Sequence, residues 1–294
     1  NTYVSLQLNQ QQLDSAYRSS TWFGEIVDIP ADDATREWRQ WNADKAQIEL
    51  LEATEKRLNV RVKVNQALRW SRLYGGAVII PDLPGRPASP VNLDRISAAS
   101  VRFLHVLNRW EIRAEGIIRD PLSPNYGQPE YYEVNGDQGR TTRFHPSRVV
   151  LINGRRPGTL DMSNQVWGDP IWHNLSDAVL ASDSSAAVVA ALMQEAKIDV
   201  VRVADLMSGL ATQAYEDTLL RRWQLVAQLK SVANVTLIDK DDEWEQKSVT
   251  FGGIPDTVNA ILTIMAGAAD IPVTRLIGTS AGGLNATGEG DLRN

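Results

Sequence analysis

The pentapeptide Gly278-Thr-Ser280-Ala-Gly282 sets a serine between two glycines at the spacing of a nucleophile elbow, where a serine on a sharp strand-to-helix turn attacks an acyl carbon. That chemistry needs a strand before the serine, a helix after it, and an acid and a histidine further along the chain. The residues before Ser280 read as a helix broken at Pro272, and no histidine follows within these 294 residues. Ser280 is therefore disfavoured as a nucleophile. His145-Pro-Ser147 has the form of half a phosphoesterase pair, in which two histidine-x-serine/threonine motifs supply a base and an acid. Neither His105 nor His173 carries the hydroxyl two residues on, so the pair is not completed. Asp239-Lys-Asp-Asp-Glu243 groups acids, but its mixed charge and lack of glycines do not fit a calcium loop, and a solvated turn is expected. No G-x-x-x-x-G-K-[S/T] string is present to cradle nucleotide phosphates. The expectation is a non-enzyme without metal or cofactor.

The elements behind these motifs fall into two blocks. Residues 1–20, polar and glutamine-rich, read as a loose surface arm or a short amphipathic helix. The run Thr21–Pro30 is apolar up to its proline, and Asp32 or Asp33 is placed to cap a new helix carrying Trp38, Trp41 and Ile48 as a packed face. A helical pattern from Ala43 to Tyr74 breaks at Gly75-Gly76 before a strand at Ala77–Ile80. Four prolines make Pro81–Pro90 a loop, and strands are expected at Val101–Leu107, Tyr131–Val134 and Arg148–Ile152. After a boundary at Trp167-Gly-Asp-Pro170 the character changes. An alanine- and serine-rich helix runs from Ile171 to about Met193, with length about 34 Å at 1.5 Å per residue. There follow a strand at Ile198–Val203, a helix near Thr212–Lys230, a strand at Asn234–Ile238, and an apolar helix Thr257–Ala269 that Pro272 stops.

Composition narrows the function classes. At 43% hydrophobic and 22% charged, the chain is that of an ordinary folded protein. With no cysteine there is no disulfide frame, thiolate metal site or cysteine nucleophile. No uninterrupted apolar run reaches the length of a spanning helix, and a soluble protein without a membrane partner is expected. Thirty basic against 36 acidic residues, a formal charge of −6, disfavour tight sequence-specific DNA binding. A wall that repels phosphates is nonetheless compatible with DNA sliding past it. The start without methionine and the polar end at Gly288–Asn294 read as those of a fragment of a longer protein.

Several strings together resemble the portal proteins of tailed bacteriophages. They are Arg18-Ser-Ser-Thr-Trp22 with Val27-Asp-Ile-Pro30, Thr35-Arg-Glu-Trp38, Ala67–Ile80, His145-Pro-Ser-Arg-Val149, Trp167-Gly-Asp-Pro170, Ile271–Gly278 and Gly283–Asn294. The resemblance covers essentially the whole chain and implies an α+β, portal-like fold. It implies a wing over 1–167, a first stem helix over 168–194, a clip over 195–250, a second stem helix over 251–271 and the start of a tunnel-loop segment over 272–294, with the crown absent.

The function implied is a subunit of a ring, typically of twelve copies, at one capsid vertex of the virion, assembled in the host cytoplasm. Double-stranded DNA would pass through it in packaging and ejection. The implied partners are the terminase large subunit, the major capsid and scaffold proteins and a head-completion adaptor. Arg275, Asn285 and Arg293 would face DNA without sequence preference, and Ser182, Ala186 and Ala190 would let stem helices of adjacent copies approach closely. Some proteins in the portal neighbourhood are linked with phosphoesterases that degrade defence nucleotides, to which the lone His145-Pro-Ser147 speaks weakly. A phage adaptor or scaffold protein without a DNA channel is the alternative.

Overall fold

The structure is a computed structural model that describes residues 8–97, 100–136, 139–157, 167–194, 197–202, 217–225, 243–248 and 253–278. The chain divides into two units, residues 1–183 with 259–294, and residues 184–258.

The first unit begins with helix α1 (Gln10–Ser19), which the sequence left open as arm or helix. A reciprocal capping box fixes its start: Gln12 N–H donates to Asn9 Oδ1 at 2.9 Å and Asn9 N–H to Gln12 Oε1 at 3.0 Å. Leu13 is fully buried, so α1 is packed, not a loose surface arm. Helix α2 (Thr21–Arg36) starts on the Ser20 cap and runs through Pro30, contrary to the expected break and fresh start at Asp32 or Asp33. Phe23, Ile26, Val27 and Ile29 before the proline and Ala31 and Thr35 after it are all buried. An interior proline strips one hydrogen bond from a helix, leaving the carbonyl four residues back without its donor. That carbonyl belongs to Ile26, and the guanidinium of Arg72 fills the gap, Nη2 donating to it at 2.8 Å. One side chain from another helix thus replaces the hydrogen bond that the proline removes.

The expected single helix over 43–74 is two, α3 (Lys45–Leu58) and α4 (Val60–Tyr74), separated by Asn59 in the left-handed region (φ 52°). Asparagine tolerates that conformation better than other non-glycine residues, so the chain turns without breaking its helical rhythm. Trp38 and Trp41 lie in the connection between α2 and α3 and do not form a helix face. The Arg39 guanidinium lies over both rings, 4.7 and 4.4 Å from their centroids, and Trp38 Nε1 donates to Glu55 Oε2 at 3.1 Å. Arg69 of α4 ties back to Asp28 and Asp32 of α2 at 3.2 and 2.7 Å.

Gly75 ends α4, and strand β1 (Gly76–Pro81) follows at the centre of an antiparallel sheet ordered β2 (Leu104–Asn108), β1, β6 (Val150–Asn153). Val78 pairs with Leu107 on one side and Leu151 on the other. The two-residue alternation of β1 divides its side chains between two clusters. Ala77 and Ile79 pack with Ala67 of α4 and Val106, while Val78 and Ile80 pack with Ile112, Ala114, Tyr132 and Trp167. The second group comes largely from another antiparallel sheet, β3 (Ile112–Ile117), β4 (Pro129–Asn135), β5 (Thr141–Phe144), with Tyr132 opposite both Ala114 and Phe144. Strands β3 and β5 were not expected: IRAEGI carries only a short alternation of Ile112 and Ala114 with polar residues and no continuous apolar run, and TTRF is mostly polar.

Arg148, expected at the start of a strand, sits in a 3-10 turn and is 5% exposed. It donates to the carbonyls of Ser89, Pro84 and Leu83 at 2.7, 3.0 and 3.3 Å and so anchors the proline loop.

Helix α5 (Trp172–Gln194) and the helix Ile254–Ala269 place Leu175, Val179, Met265, Ala266 and Ala269 in one core with Leu13, Phe23, Ile26 and Val27. By length and composition Trp172–Leu192 is apolar enough to cross a membrane, with mean hydropathy 1.4, a property that a search for uninterrupted runs passes over because Asp177 and Asp183 interrupt it. Within the second unit, β7 (Lys197–Arg202) pairs antiparallel with β8 (Glu243–Ser248), and residues 217–225 are helical. The expected strand Asn234–Ile238 lies outside the described residues.

Arg72→Met leaves the Ile26 carbonyl without its donor and is expected to lower stability by about 1–3 kcal/mol. Pro30→Ala restores a helical donor and should recover most of that loss in the double variant. Denaturant unfolding of the four chains of this cycle measures the coupling, and equal losses with and without Pro30 would refute it.

Candidate functional site

The motif Trp167-Gly-Asp-Pro170 meets Gly75-Gly76 and Gly154-Arg155 at one crossing, where α4 turns into β1, β6 ends and α5 begins. Asp169 and Arg155 exchange backbone hydrogen bonds at 3.1 and 2.7 Å, Gly154 N–H donates to Gly75 O at 2.9 Å, and Ile171 N–H donates to Arg72 O at 2.9 Å. No side chain fits between these strands of backbone. A Cβ on Gly75 would lie 2.4 Å from the Gly168 carbonyl oxygen, one on Gly154 2.6 Å from the Ser71 oxygen, and one on Gly168 2.7 Å from the Arg155 oxygen. On Gly76 it would lie 2.3 Å from the Trp167 ring, which is buried against Tyr132 with centroids 6.5 Å apart. Gly75 also needs its glycine for φ +89°.

Beside this crossing a cavity of about 140 Å³ is lined by Asn9, Arg109, Trp110, Asp169 and His173. Arg109 Nη1 reaches the Tyr74 and Gly168 carbonyls at 3.3 Å each. Burial holds its pKa below the ordinary arginine value, with the nearby Asp169 carboxylate opposing. His173 Nδ1 is 3.7 Å from Asp169 Oδ1. These groups tie backbone together and present no serine for an imidazole to activate.

The other histidines are equally structural. His145 caps the turn Pro146–Arg148, its Nδ1 accepting from Ser147 N–H at 3.2 Å and lying 2.9 Å from Ser147 Oγ, so the His-x-Ser string is a turn motif here. His105 packs on Phe103 with centroids 4.7 Å apart. Among the described residues no cluster of three or more histidine or acidic side chains is arranged to hold a metal. Of the acidic run 239–243 only Glu243 is described, as the first residue of β8 and not as part of a turn.

Gly278 is the C-cap of a short helix, Val273–Ile277, with φ 70°, so a helix and not a strand precedes the serine elbow pattern. Ser280, Gly282, Asn285 and Arg293 lie outside the described residues. Arg275 is paired within its own chain, Nη2 and Nε donating to Asp33 at 3.0 and 3.3 Å. That bidentate pair, with buried Leu276, holds the short helix against α2.

Ser182 faces inward, 3% exposed, its hydroxyl donating to Ala178 O at 2.8 Å, so this residue of the expected inter-subunit row is enclosed by its own chain. Ala186 and Ala190 are exposed, as are Leu180, Val188 and Leu192 on the same helix. The sequence directed attention to small residues and missed these larger apolar ones, whose helical spacing was the available signal.

Gly76→Ala and Gly154→Ala are expected to cost more than about 3 kcal/mol each or to abolish soluble expression, because the obstructing atoms are ring and backbone. Gly267→Ala, in a helix with nothing within 4 Å of the added carbon, should instead raise stability by about 0.5–1 kcal/mol. Thermal or denaturant unfolding of the three variants separates the two cases, and similar behaviour in all three would contradict the close-packing account.

The fold just described is shared with components of gene transfer agent particles. The neck of an empty particle computed with C6 symmetry contains a chain that matches with a TM-score of 0.59 at 16% identity, over 99% of this chain and 76% of that one. The neck of a native particle computed with C12 symmetry matches with a TM-score of 0.56 at 15% identity, over 93% and 72%. Among curated proteins, one named anti-CBASS protein Acb1 from Caulobacter sp. (strain RHG1) is 38% identical over all of this chain and 49% of its own length. One of the same name from Sphingomonas paeninsulae is 37% identical over 97% of this chain and 47% of its own. An uncharacterised protein of Haemophilus influenzae is 30% identical over 99% of this chain and 66% of its own. The chain thus spans about half the length of the first two relatives. Residues 11–294 match the family described as phage portal protein, and on that match the chain belongs to that family.

Proposed function

We propose that the chain is the wing, stem and clip portion of a portal subunit, a non-enzymatic component of a ring around a DNA passage at one capsid vertex. The observation that carries this reading is the family match over residues 11–294. The compact second unit, residues 184–258, contains the proposed clip at 195–250, and its ends fall inside the two helices proposed as the stem. The terminase large subunit and a head-completion adaptor dock on that clip. Capsid and scaffold proteins surround the wing, and the mature ring resides in the virion after assembly in the host cytoplasm. Arg275, Asn285 and Arg293 belong to the segment nearest the DNA. Arg275 reaches phosphate only by leaving Asp33, an exposed pair worth about 1 kcal/mol or less. A net charge of −6 suits a passage in which DNA slides without being gripped.

The name anti-CBASS, carried by two relatives, suggests a second activity. Those proteins are about twice as long, and within this chain the only His-x-Ser/Thr string is the capped turn at His145.

Negative-stain electron microscopy of the full-length protein is expected to reveal rings with a central hole that admits a B-form duplex. A closed assembly without a hole would replace the channel with a phage adaptor. Deleting residues 195–250 is expected to abolish terminase recruitment, measured by co-sedimentation, while unchanged recruitment would move docking to the wing.

A further inference from the structure

A second, larger cavity of about 580 Å³ lies between α2, the end of β6 and the end of the helix Ile254–Ala269. Much of its lining is apolar, including Pro30, Ile171, Ala268 and Ala269. Arg72 also lines it. Its Nη2 is committed to the Ile26 carbonyl, while its Nε is buried with no partner among the described residues. Burial alone accounts for the lowered pKa of this guanidinium, with no carboxylate offsetting the lost hydration. Exposed Arg155 lines the same cavity, and Asp270, in the left-handed region at φ 57°, is the one acid among the described lining residues. The site therefore combines an apolar wall with an excess of positive charge inside a chain that is acidic overall.

We infer that this cavity receives a carboxylate-bearing, apolar-flanked segment of a second copy of the chain. A half-buried cation without a counter-charge is stabilised when a carboxylate reaches it, and the apolar wall rewards a side chain that arrives with that carboxylate. A copy of the same chain carries 36 acidic side chains from which that carboxylate can come. A closed ring of identical subunits also requires two unlike faces on each copy, one entering the other. The inference rests on the ring reading and names the face that a neighbouring copy fills.

The test uses the full-length protein and two substitutions at exposed positions of the cavity. Ala268→Trp fills the space and Arg155→Glu reverses the charge, while both leave the Arg72–Ile26 bond and the backbone pairing of Arg155 with Asp169 in place. Each is expected to raise at least tenfold the protein concentration needed for half-assembly, read by sedimentation velocity, with circular dichroism unchanged from wild type. Arg155→Lys, which keeps the charge, should assemble within about twofold of wild type. Should Ala268→Trp perturb the fold, Arg155→Glu paired with Arg155→Lys decides alone. Rings formed equally well by wild type, Ala268→Trp and Arg155→Glu overturn this inference while leaving the ring reading intact. A wild-type chain that assembles at no concentration overturns both. Stabilisation of wild type by inorganic phosphate, with assembly indifferent to these substitutions, would make the cavity a small-anion site and overturn the second copy as its occupant.

Discussion

The first unit depends on a place where backbone touches backbone. Gly75, Gly76, Gly154 and Gly168 let the end of α4, the start of β1, the end of β6 and the entry to α5 meet at distances that exclude a Cβ. From that crossing β1 runs out as the central strand, with alternate side chains committed to α4 and to the second sheet. Trp167 caps the arrangement, lying over Gly76 and against Tyr132. Interiors are packed at crystal-like density, so a requirement for zero side-chain volume at several adjoining points fixes the relative position of every element that passes through them.

Around this crossing, arginines do work usually assigned to secondary structure. Arg72 supplies the hydrogen bond that Pro30 removes from α2, Arg148 gathers three carbonyls of the proline loop, and Arg109 reaches the Tyr74 and Gly168 carbonyls. A guanidinium suits the task because its planar fork offers five donors at fixed angles on a long stem. Several arginines of the first unit are thus occupied with backbone or with acids of the same chain. Arg275 follows the same pattern through Asp33.

The chain spans about half the length of the relatives named anti-CBASS, and among the described residues no group of three or more histidine or acidic side chains is placed to hold a metal. The apolar side chains left exposed on α5, Leu180 and Val188 among them, belong to a helix whose opposite side is already enclosed by Leu175, Val179 and Ser182. One side of that helix builds the unit and the other is exposed.

Local sequence determined much of the element inventory. The apolar spacing of α4, α5 and Ile254–Ala269, the Gly75-Gly76 break and the β1 strand were legible because helix periodicity, glycine punctuation and buried-strand runs are properties of consecutive residues. Family membership was legible too, in strings such as Ala67–Ile80 and Trp167–Pro170. What only the tertiary structure decided were the outcomes that depend on a distant partner. Helix α2 continues past Pro30 because Arg72, 42 positions further on, donates to Ile26. Mostly polar β5 is a strand because it pairs with β4, and Ser182 is buried because that side of α5 is occupied. In each case the local preference is worth no more than about 1–3 kcal/mol, a margin that a single long-range hydrogen bond or a few buried side chains can reverse.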